Sequence, residues 1–211
     1  MIELKQLPVR RGNVPLTYAF GHFATNHSHI NYYVDITYQK TRVSEAKATA
    51  YQLVSQFIND TPVDTIICLD GTAVLGAFVA DELNKRGFRT INANKSIYVI
   101  EPEYNANSQI IFRQNIQPMI RGKHVLVLMA SVTTGVTAKR SIEAITYYGG
   151  VVAGVAAIYR AVDTVEGYPV RSVYSVSDLP DYKSYDYRDC PFCKAGRKID
   201  ALVNSYGYSV L

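Results

Sequence analysis

The sequence of 211 residues has no tryptophan, only three cysteines, and no apolar run near the roughly 20 residues of a membrane-spanning helix. Three cysteines cannot form the disulfide framework of a small secreted protein. The first six residues, Met-Ile-Glu-Leu-Lys-Gln, lack the apolar core of a signal peptide. We therefore expect a cytoplasmic protein with no membrane partner.

Several motifs that would indicate other functions are missing as well. The sequence has no Gly-Lys-Ser/Thr of a Walker loop, no Gly-x-Gly-x-x-Gly and no visible nucleophilic triad. Its formal net charge is +4, and the basic residues are scattered rather than grouped. This pattern is compatible with a small anionic ligand and gives no indication of a nucleic-acid partner.

Hydrophobic residues make up 48% of the chain and charged residues 19%, which is typical of a globular protein with a sizeable core. Apolar β-prone runs alternate with helical patterns of about a dozen residues, which predicts βαβ units. We predict an α/β fold with a mostly parallel open sheet flanked by helices, in a single domain over residues 1–211. It would have a hood over 1–35, a core over 36–178, and a C-terminal extension over 179–211 that ends in a helix over 198–204.

The most informative segment is a strand, loop and helix pattern that begins at Lys123. Its apolar run ends in the loop Thr133-Thr134-Gly135-Val136-Thr137, and a helical pattern follows at once. Unpaired backbone N–H groups at a helix N-terminus, together with threonine hydroxyls and the helix dipole, suit a phosphate monoester. In open parallel sheets, ligands bind beyond the carboxyl ends of the strands, where this loop would lie. The alternative is an ordinary strand-to-helix turn without a ligand.

Four segments, in this order, resemble the orotate phosphoribosyltransferase branch of the type I phosphoribosyltransferases. They are Phe23-Ala24-Thr25 with Asn31-Tyr32-Tyr33-Val34-Asp35, the turn Cys68–Gly76, the loop Thr133–Thr137, and the strand Ala156–Arg160. The resemblance covers most of residues 20–165. It implies a role in nucleotide metabolism, in which ribose 5-phosphate moves from phosphoribosyl pyrophosphate to a nucleobase such as orotate.

The resemblance also implies roles for single residues. The 5′-phosphate would be held by Thr133, Thr134, Gly135, Val136 and Thr137, a pyrophosphate would face Asp70, Gly71 and Thr72, and Arg160 would approach the base. For Arg160, a salt bridge at a strand end is the alternative. An active enzyme of this family would use Mg²⁺ to bridge the pyrophosphate, and a homodimer is expected.

Two departures from the family pattern affect the expected activity. Met129 and Ala130 occupy the positions where the family has two acidic residues that accept hydrogen bonds from the ribose hydroxyls. Losing two such bonds, each about 1.5–3 kcal/mol, would weaken the grip by about two to four decades. The loop that carries lysines in the orotate branch here has Glu101 and Glu103. We therefore expect a protein that binds a 5′-phosphorylated ribose or nucleotide and whose transfer reaction is weak, altered or lost.

Two further functional classes compete with a transferase. The same fold could serve as a non-catalytic nucleotide or sugar-phosphate sensor, or as a structural relative with a vestigial site. A carboxylate supplied from elsewhere, for instance by Asp70 or Glu101, would restore the enzyme hypothesis. A cavity filled by the Met129 side chain would favour the vestigial site.

Cysteines and histidines form a second group of interest. Cys190 and Cys193 make a Cys-x-x-Cys motif, for which a Zn²⁺ site, a reversible redox pair and two plain thiols all remain open. A tetrahedral zinc site needs four ligands, so other residues would have to come close through folding or a partner subunit. His27 and His29 would share one face of a strand, and either could replace anion contacts that the orotate branch has in this segment.

Overall fold

The structure is a computed structural model, and it describes residues 2–7, 14–57, 60–85, 91–93 and 95–211. Within them, fourteen strands are assigned: β1 Lys5–Gln6, β2 Thr17–Ala24, β3 His29–Asp35, β4 Thr65–Cys68, β5 Tyr98–Ile100, β6 Glu103–Tyr104, β7 Ile110–Ile111, β8 His124–Val132, β9 Val151–Arg160, β10 Thr164–Val165, β11 Tyr168–Ser175, β12 Ser184–Tyr185, β13 Ala201–Asn204 and β14 Gly207–Val210. The described helices are α1 Thr37–Thr41, α2 Val43–Val54, α3 Ala73–Asn84, α4 Val136–Tyr147 and α5 Pro191–Lys194, with a 3₁₀ turn at Gln117–Met119.

The core is a six-stranded sheet in the order β10-β11-β9-β8-β4-β5. Its strands are parallel from β5 to β11, and only the edge strand β10 runs antiparallel. Helices α2 and α3 cover one face, and α4 covers the other. Because both faces are covered, the central strands are apolar almost throughout, as in the buried run of β8. The predicted α/β fold with a mostly parallel open sheet is confirmed.

A second sheet lies beyond the carboxyl ends of the core strands. Its order is β12-β3-β2-β13-β14, with β1 paired to β2. Strands β2 and β3 come from the predicted hood, whereas β12, β13 and β14 come from the predicted C-terminal extension. The two ends of the described chain therefore build one layer, which we call the hood sheet.

The predicted helix over residues 198–204 is wrong. These residues contain β13, which pairs parallel to β2 and antiparallel to β14. Ala201 and Val203 are buried while Leu202 and Asn204 are exposed, which is the two-residue alternation of a strand. Four residues are too few for periodicity to separate a strand from a helix, and pairing with the distant strand β2 decides the outcome.

The loop expected over residues 101–108 contains one arm of a small hairpin. Strand β6 pairs antiparallel with β7, and Arg113 binds the Glu103 carboxylate at 2.7 Å. The sequence pattern also predicts a strand over residues 89–92, of which 89 and 90 lie outside the described residues, whereas 91 and 92 form a turn. No helix among the described residues is both long and apolar enough to cross a bilayer.

Helix α3 approaches the core sheet closely at Gly76. A Cβ added there would overlap the Sγ of Cys68 and would lie 3.1 Å from Val99 Cγ1. Cys68 is itself buried, so its thiol cannot swing away. The first turn of α3 can approach β4 this closely only because Gly76 has no side chain.

We predict that Gly76→Ala destabilises the protein by about 1–3 kcal/mol in urea unfolding, despite the higher helix propensity of alanine. Cys68→Ala should create room, so the double variant should lose less than the sum of the two single variants. A Gly76→Ala protein more stable than the original would contradict this close packing.

Candidate ligand site at the carboxyl ends of the core strands

A cavity of about 230 Å³ lies between the core sheet and the hood sheet. Its core side includes Met129, Ala130, Ser131, Thr133 and Thr137. Its hood side includes residues of β3 and of the β13–β14 hairpin, among them Asn204, Ser205 and Gly207. The cavity thus occupies the place where open parallel sheets bind their ligands.

The loop predicted to hold phosphate forms a turn between β8 and α4. Gly135 lies in the left-handed region with a φ of 79° and precedes the first residue of the helix. No side chain in the described part of the chain caps this helix, so its first amides remain available to a ligand. Thr133 and Thr137 line the cavity, whereas Thr134 and Val136 are exposed.

The predicted pyrophosphate turn follows β4 and has an unusual backbone conformation. Asp70 and Gly71 are consecutive residues with φ values of 58° and 71°. Thr72 is buried, and its hydroxyl donates to the carbonyls of Leu69 and Leu128 at 2.7 and 3.2 Å. Thr72 therefore ties the turn to the end of β4 and to the middle of β8, while Asp70 lines the cavity.

Asp70 contributes a carboxyl group close to the two positions where the family acids are missing. Burial raises the pKa of this carboxyl, and the backbone amide of Ala130 and the charge of Lys40 oppose that rise. Among the described residues that line the cavity, Asp70 is the one that carries a carboxylate. Neither Met129 nor Ala130 has a carboxylate, and both are buried.

Lys40 is a functional candidate that the sequence did not reveal. It is buried, and its ammonium donates to the carbonyl of Asp70 at 2.9 Å and to the carbonyl of Ser205. Burial lowers the pKa of Lys40, whereas Asp70 and Asp35 raise it. In the sequence, Lys40 has no feature that distinguishes it from a solvent-exposed lysine.

Two tyrosine hydroxyls also escaped the sequence analysis. Tyr159 and Tyr182 line the cavity, and their rings meet edge to face with centroids 5.4 Å apart. Both hydroxyls are buried without a hydrogen-bond partner among the described residues. Buried polar groups are nearly always paired, so these two are positioned for a polar ligand.

Arg160 is not among the residues that line the cavity. Its guanidinium pairs with Asp163, and the neighbouring Tyr159 lines the cavity in its place. Successive side chains of a strand face opposite sides, which explains why only one of the two can face the ligand. A role for Arg160 beside the base stays a prediction, and it would require Arg160 to leave Asp163.

The four residues His22, His29, Cys190 and Cys193 lie together in the hood sheet and the segment that follows β12. Two of them, Cys190 and Cys193, belong to the predicted metal motif. His27 instead lines the cavity, as one of the anion-contact positions considered from the sequence. Cys68 stays apart in the core, where burial raises the pKa of its thiol to about 12.

Comparison with known proteins gives relatives over most of the chain. No family model matches it. The orotate phosphoribosyltransferases of two strains of Corynebacterium glutamicum are each 30% identical over 183 residues, which cover 83% of this chain and 89% of the relative.

Solved structures show the same fold. The UMP synthase of Leishmania donovani has a TM-score of 0.56 at 18% identity, covering 77% of this chain and 34% of that one. The orotate phosphoribosyltransferase of Mycobacterium tuberculosis, in complex with inorganic phosphate, has a TM-score of 0.50 at 21% identity, covering 71% of this chain and 82% of that one. The chain therefore belongs to the type I phosphoribosyltransferase family, as an orotate phosphoribosyltransferase-like member.

Proposed function

We propose that the cavity binds a 5′-phosphorylated ribose compound, such as a nucleotide, and that the transfer reaction of the family is weak or lost in this chain. The observation that carries the proposal is the combination of two features in one cavity. The uncapped N-terminus of α4 opens into it with Thr133 and Thr137, while Met129 and Ala130 line it where the family has acids.

The phosphate end of the cavity has the groups that an anion needs. Backbone N–H groups at the start of α4, the positive end of its dipole and two threonine hydroxyls converge there. The Mycobacterium tuberculosis relative was solved with inorganic phosphate, which supports the assignment of phosphate as ligand chemistry.

The parts of the cavity that would hold the ribose and a pyrophosphate lack groups that the phosphoribosyl transfer reaction needs. The Ala130 side chain cannot accept a hydrogen bond from a ribose hydroxyl, and the Met129 thioether accepts only weakly, so neither replaces a carboxylate. Glu101 and Glu103 add negative charge to the loop that would close over a pyrophosphate, although Arg113 neutralises Glu103 in this hairpin. Like charges placed beside an anion oppose its binding.

The donor set also fits Mg²⁺ poorly. Mg²⁺ is usually held by one or two carboxylates together with substrate phosphates. Among the described cavity residues only Asp70 offers a carboxylate, and it lies beside the ammonium of Lys40. The described residues of the cavity therefore offer few ligands to a divalent cation.

The base end would be recognised by Tyr159 and Tyr182. Their unpartnered hydroxyls can donate to or accept from the polar edge of a nucleobase. The name of the Corynebacterium relatives makes orotate and its pyrimidine nucleotides the first ligands to test.

The expected homodimer is a separate prediction, which light scattering on the purified protein would test.

A second candidate is an active transferase in which Asp70 replaces the missing acids. Its carboxyl accepts a hydrogen bond from the backbone amide of Ala130, one of the two positions where the family has an acid. A single carboxylate in place of two would still leave the grip on the ribose weaker than in the family.

Calorimetric titration separates these candidates. A pyrimidine nucleoside 5′-monophosphate should bind with a dissociation constant of about micromolar order, and the nucleoside without phosphate should bind far more weakly. Mg²⁺-dependent binding of phosphoribosyl pyrophosphate with turnover of orotate would instead establish the transferase. Equal affinity for nucleoside and monophosphate would overturn the phosphate site.

Thr137→Val should weaken monophosphate binding by about 10–100-fold, because it removes a hydroxyl bond to a charged group at nearly constant volume. The matched control is Thr146→Val, near the other end of α4, where the hydroxyl donates to the carbonyl of Ile142 at 2.9 Å. The control should bind normally, and an equal loss in both variants would point to damage of the helix rather than of the site.

Tyr159→Phe should keep or raise the stability of the free protein, by up to about 1–3 kcal/mol, because it removes a buried unpartnered hydroxyl. The same change should weaken nucleotide binding. As a control, Tyr174→Phe removes a hydroxyl that donates to the carbonyl of Val14, so it should lower stability and spare affinity. Unchanged nucleotide affinity in Tyr159→Phe would argue against a base-binding role.

Asp70→Asn should raise the thermal midpoint at pH 7 and leave it nearly unchanged at pH 3. Burial holds the pKa of Asp70 above its ordinary value of 3.8, so the wild type loses stability as the pH rises from 3.8 through the raised value. Asparagine tolerates the left-handed conformation and lacks this charge. Asp81→Asn, at an exposed position of α3, serves as the control. A lower midpoint at pH 7 would show that attraction to Lys40 outweighs burial.

A further inference from the structure

Four potential metal ligands from three separate segments converge beside the cavity. His22 belongs to β2, His29 to β3, and Cys190 and Cys193 flank the start of α5. Their ligand atoms all lie within 4.8 Å of one another. The geometry points to a structural Zn²⁺ site of the Cys₂His₂ type that fastens the C-terminal segment to the hood sheet.

The separations between ligand atoms match a tetrahedron around zinc. Zn–N bonds of about 2.0–2.1 Å and Zn–S bonds of about 2.3 Å place two nitrogens about 3.3 Å apart and a nitrogen and a sulfur about 3.6 Å apart. His22 Nε2 lies 3.0 Å from His29 Nδ1, and it lies 3.5 and 3.6 Å from the sulfurs of Cys190 and Cys193. Cys193 Sγ is 3.3 Å from His29 Nδ1.

The hydrogen bonds of His22 select the tautomer whose Nε2 can bind a metal. Its Nδ1 lies 3.0 Å from the carbonyl oxygen of Arg197 and 3.1 Å from that of Lys198. Carbonyl oxygens only accept, so Nδ1 must carry the hydrogen, and the lone pair of Nε2 then faces the cluster. A second hydrogen bond of this kind is a regular feature of histidines that ligate zinc.

A supporting layer holds the C-terminal segment against His22. The backbone N–H of His22 donates to Asp200 Oδ2 at 2.7 Å, and Asp200 donates its own N–H to the carbonyl of His22 at 2.8 Å. Arg197 binds the same Asp200 oxygen at 3.0 Å and lies over the Phe192 ring. His22 and the segment that follows α5 are thus held together by contacts other than those among the four ligand atoms.

Charge and coordination both favour a structural role. Two thiolates balance the charge of Zn²⁺, and four protein ligands leave no open position for a substrate. Directly after the cluster, β13 pairs with β2 and leads to Asn204 and Ser205 at the cavity. The metal would therefore hold one wall of the ligand cavity in place.

Metal analysis of the untagged protein, purified under reducing conditions, tests the site. We expect about one zinc ion per chain, and Co²⁺ exchanged into the protein should show the strong visible bands of tetrahedral thiolate coordination. A chelator should lower the thermal midpoint by about 5 °C or more. Less than about one zinc in ten chains together with no Co²⁺ bands would overturn the proposal, as would a Cys190–Cys193 disulfide that persists in the reduced preparation.

Variants assign the ligands. His29→Gln and Cys193→Ser should each lower zinc content and alter the Co²⁺ bands, whereas His27→Gln and Cys68→Ser should leave both unchanged. Full zinc content in His29→Gln and Cys193→Ser would contradict the assignment. If either variant fails to fold, zinc release from the wild type by a mercurial thiol reagent gives the same information, since loss of zinc in step with thiol modification requires cysteine ligands.

Discussion

The buried ammonium of Lys40 holds the two sheets of this protein together at the ligand cavity. It donates to the carbonyl of Asp70, which follows the core strand β4, and to the carbonyl of Ser205, in the turn of the C-terminal hairpin. Both acceptors are backbone atoms at turns, where the ladders of the sheets no longer satisfy them. A buried charge is stable only when its donors are occupied, so this group fixes the distance between hood and core and hence the shape of the cavity.

The position of Lys40 also determines how charge is distributed in the cavity. Lys40 places a positive charge next to Asp70, and Asp70 in turn lies beside the backbone of Ala130. The cavity therefore has a pair of opposite charges next to Ala130, and the positive end of a helix dipole at the start of α4. A ligand with its negative charge at one extremity fits such an arrangement better than one with charge at both, which favours a monophosphate over a pyrophosphate.

The core of the fold and the turn between β8 and α4 were predictable because their signals are local. The apolar run of β8 and the helical pattern of α4 flank a turn that needs a left-handed glycine, and all three are contiguous in sequence. Strand β13 was mistaken for a helix because its pairing partner β2 lies far away in the chain. Lys40, Tyr159 and the partnership of His22 with Cys190 and Cys193 escaped for the same reason: only the tertiary fold brings them to their neighbours.

The hood sheet has a consequence for how the protein matures on the ribosome. The core strands β4 to β11 can pair while the chain is still being made, because none of them needs a residue beyond Ser175. The hood cannot close, because β2 must wait for β13. A partly made chain would therefore lack one wall of the cavity until β13 and Ser205 join the hood sheet.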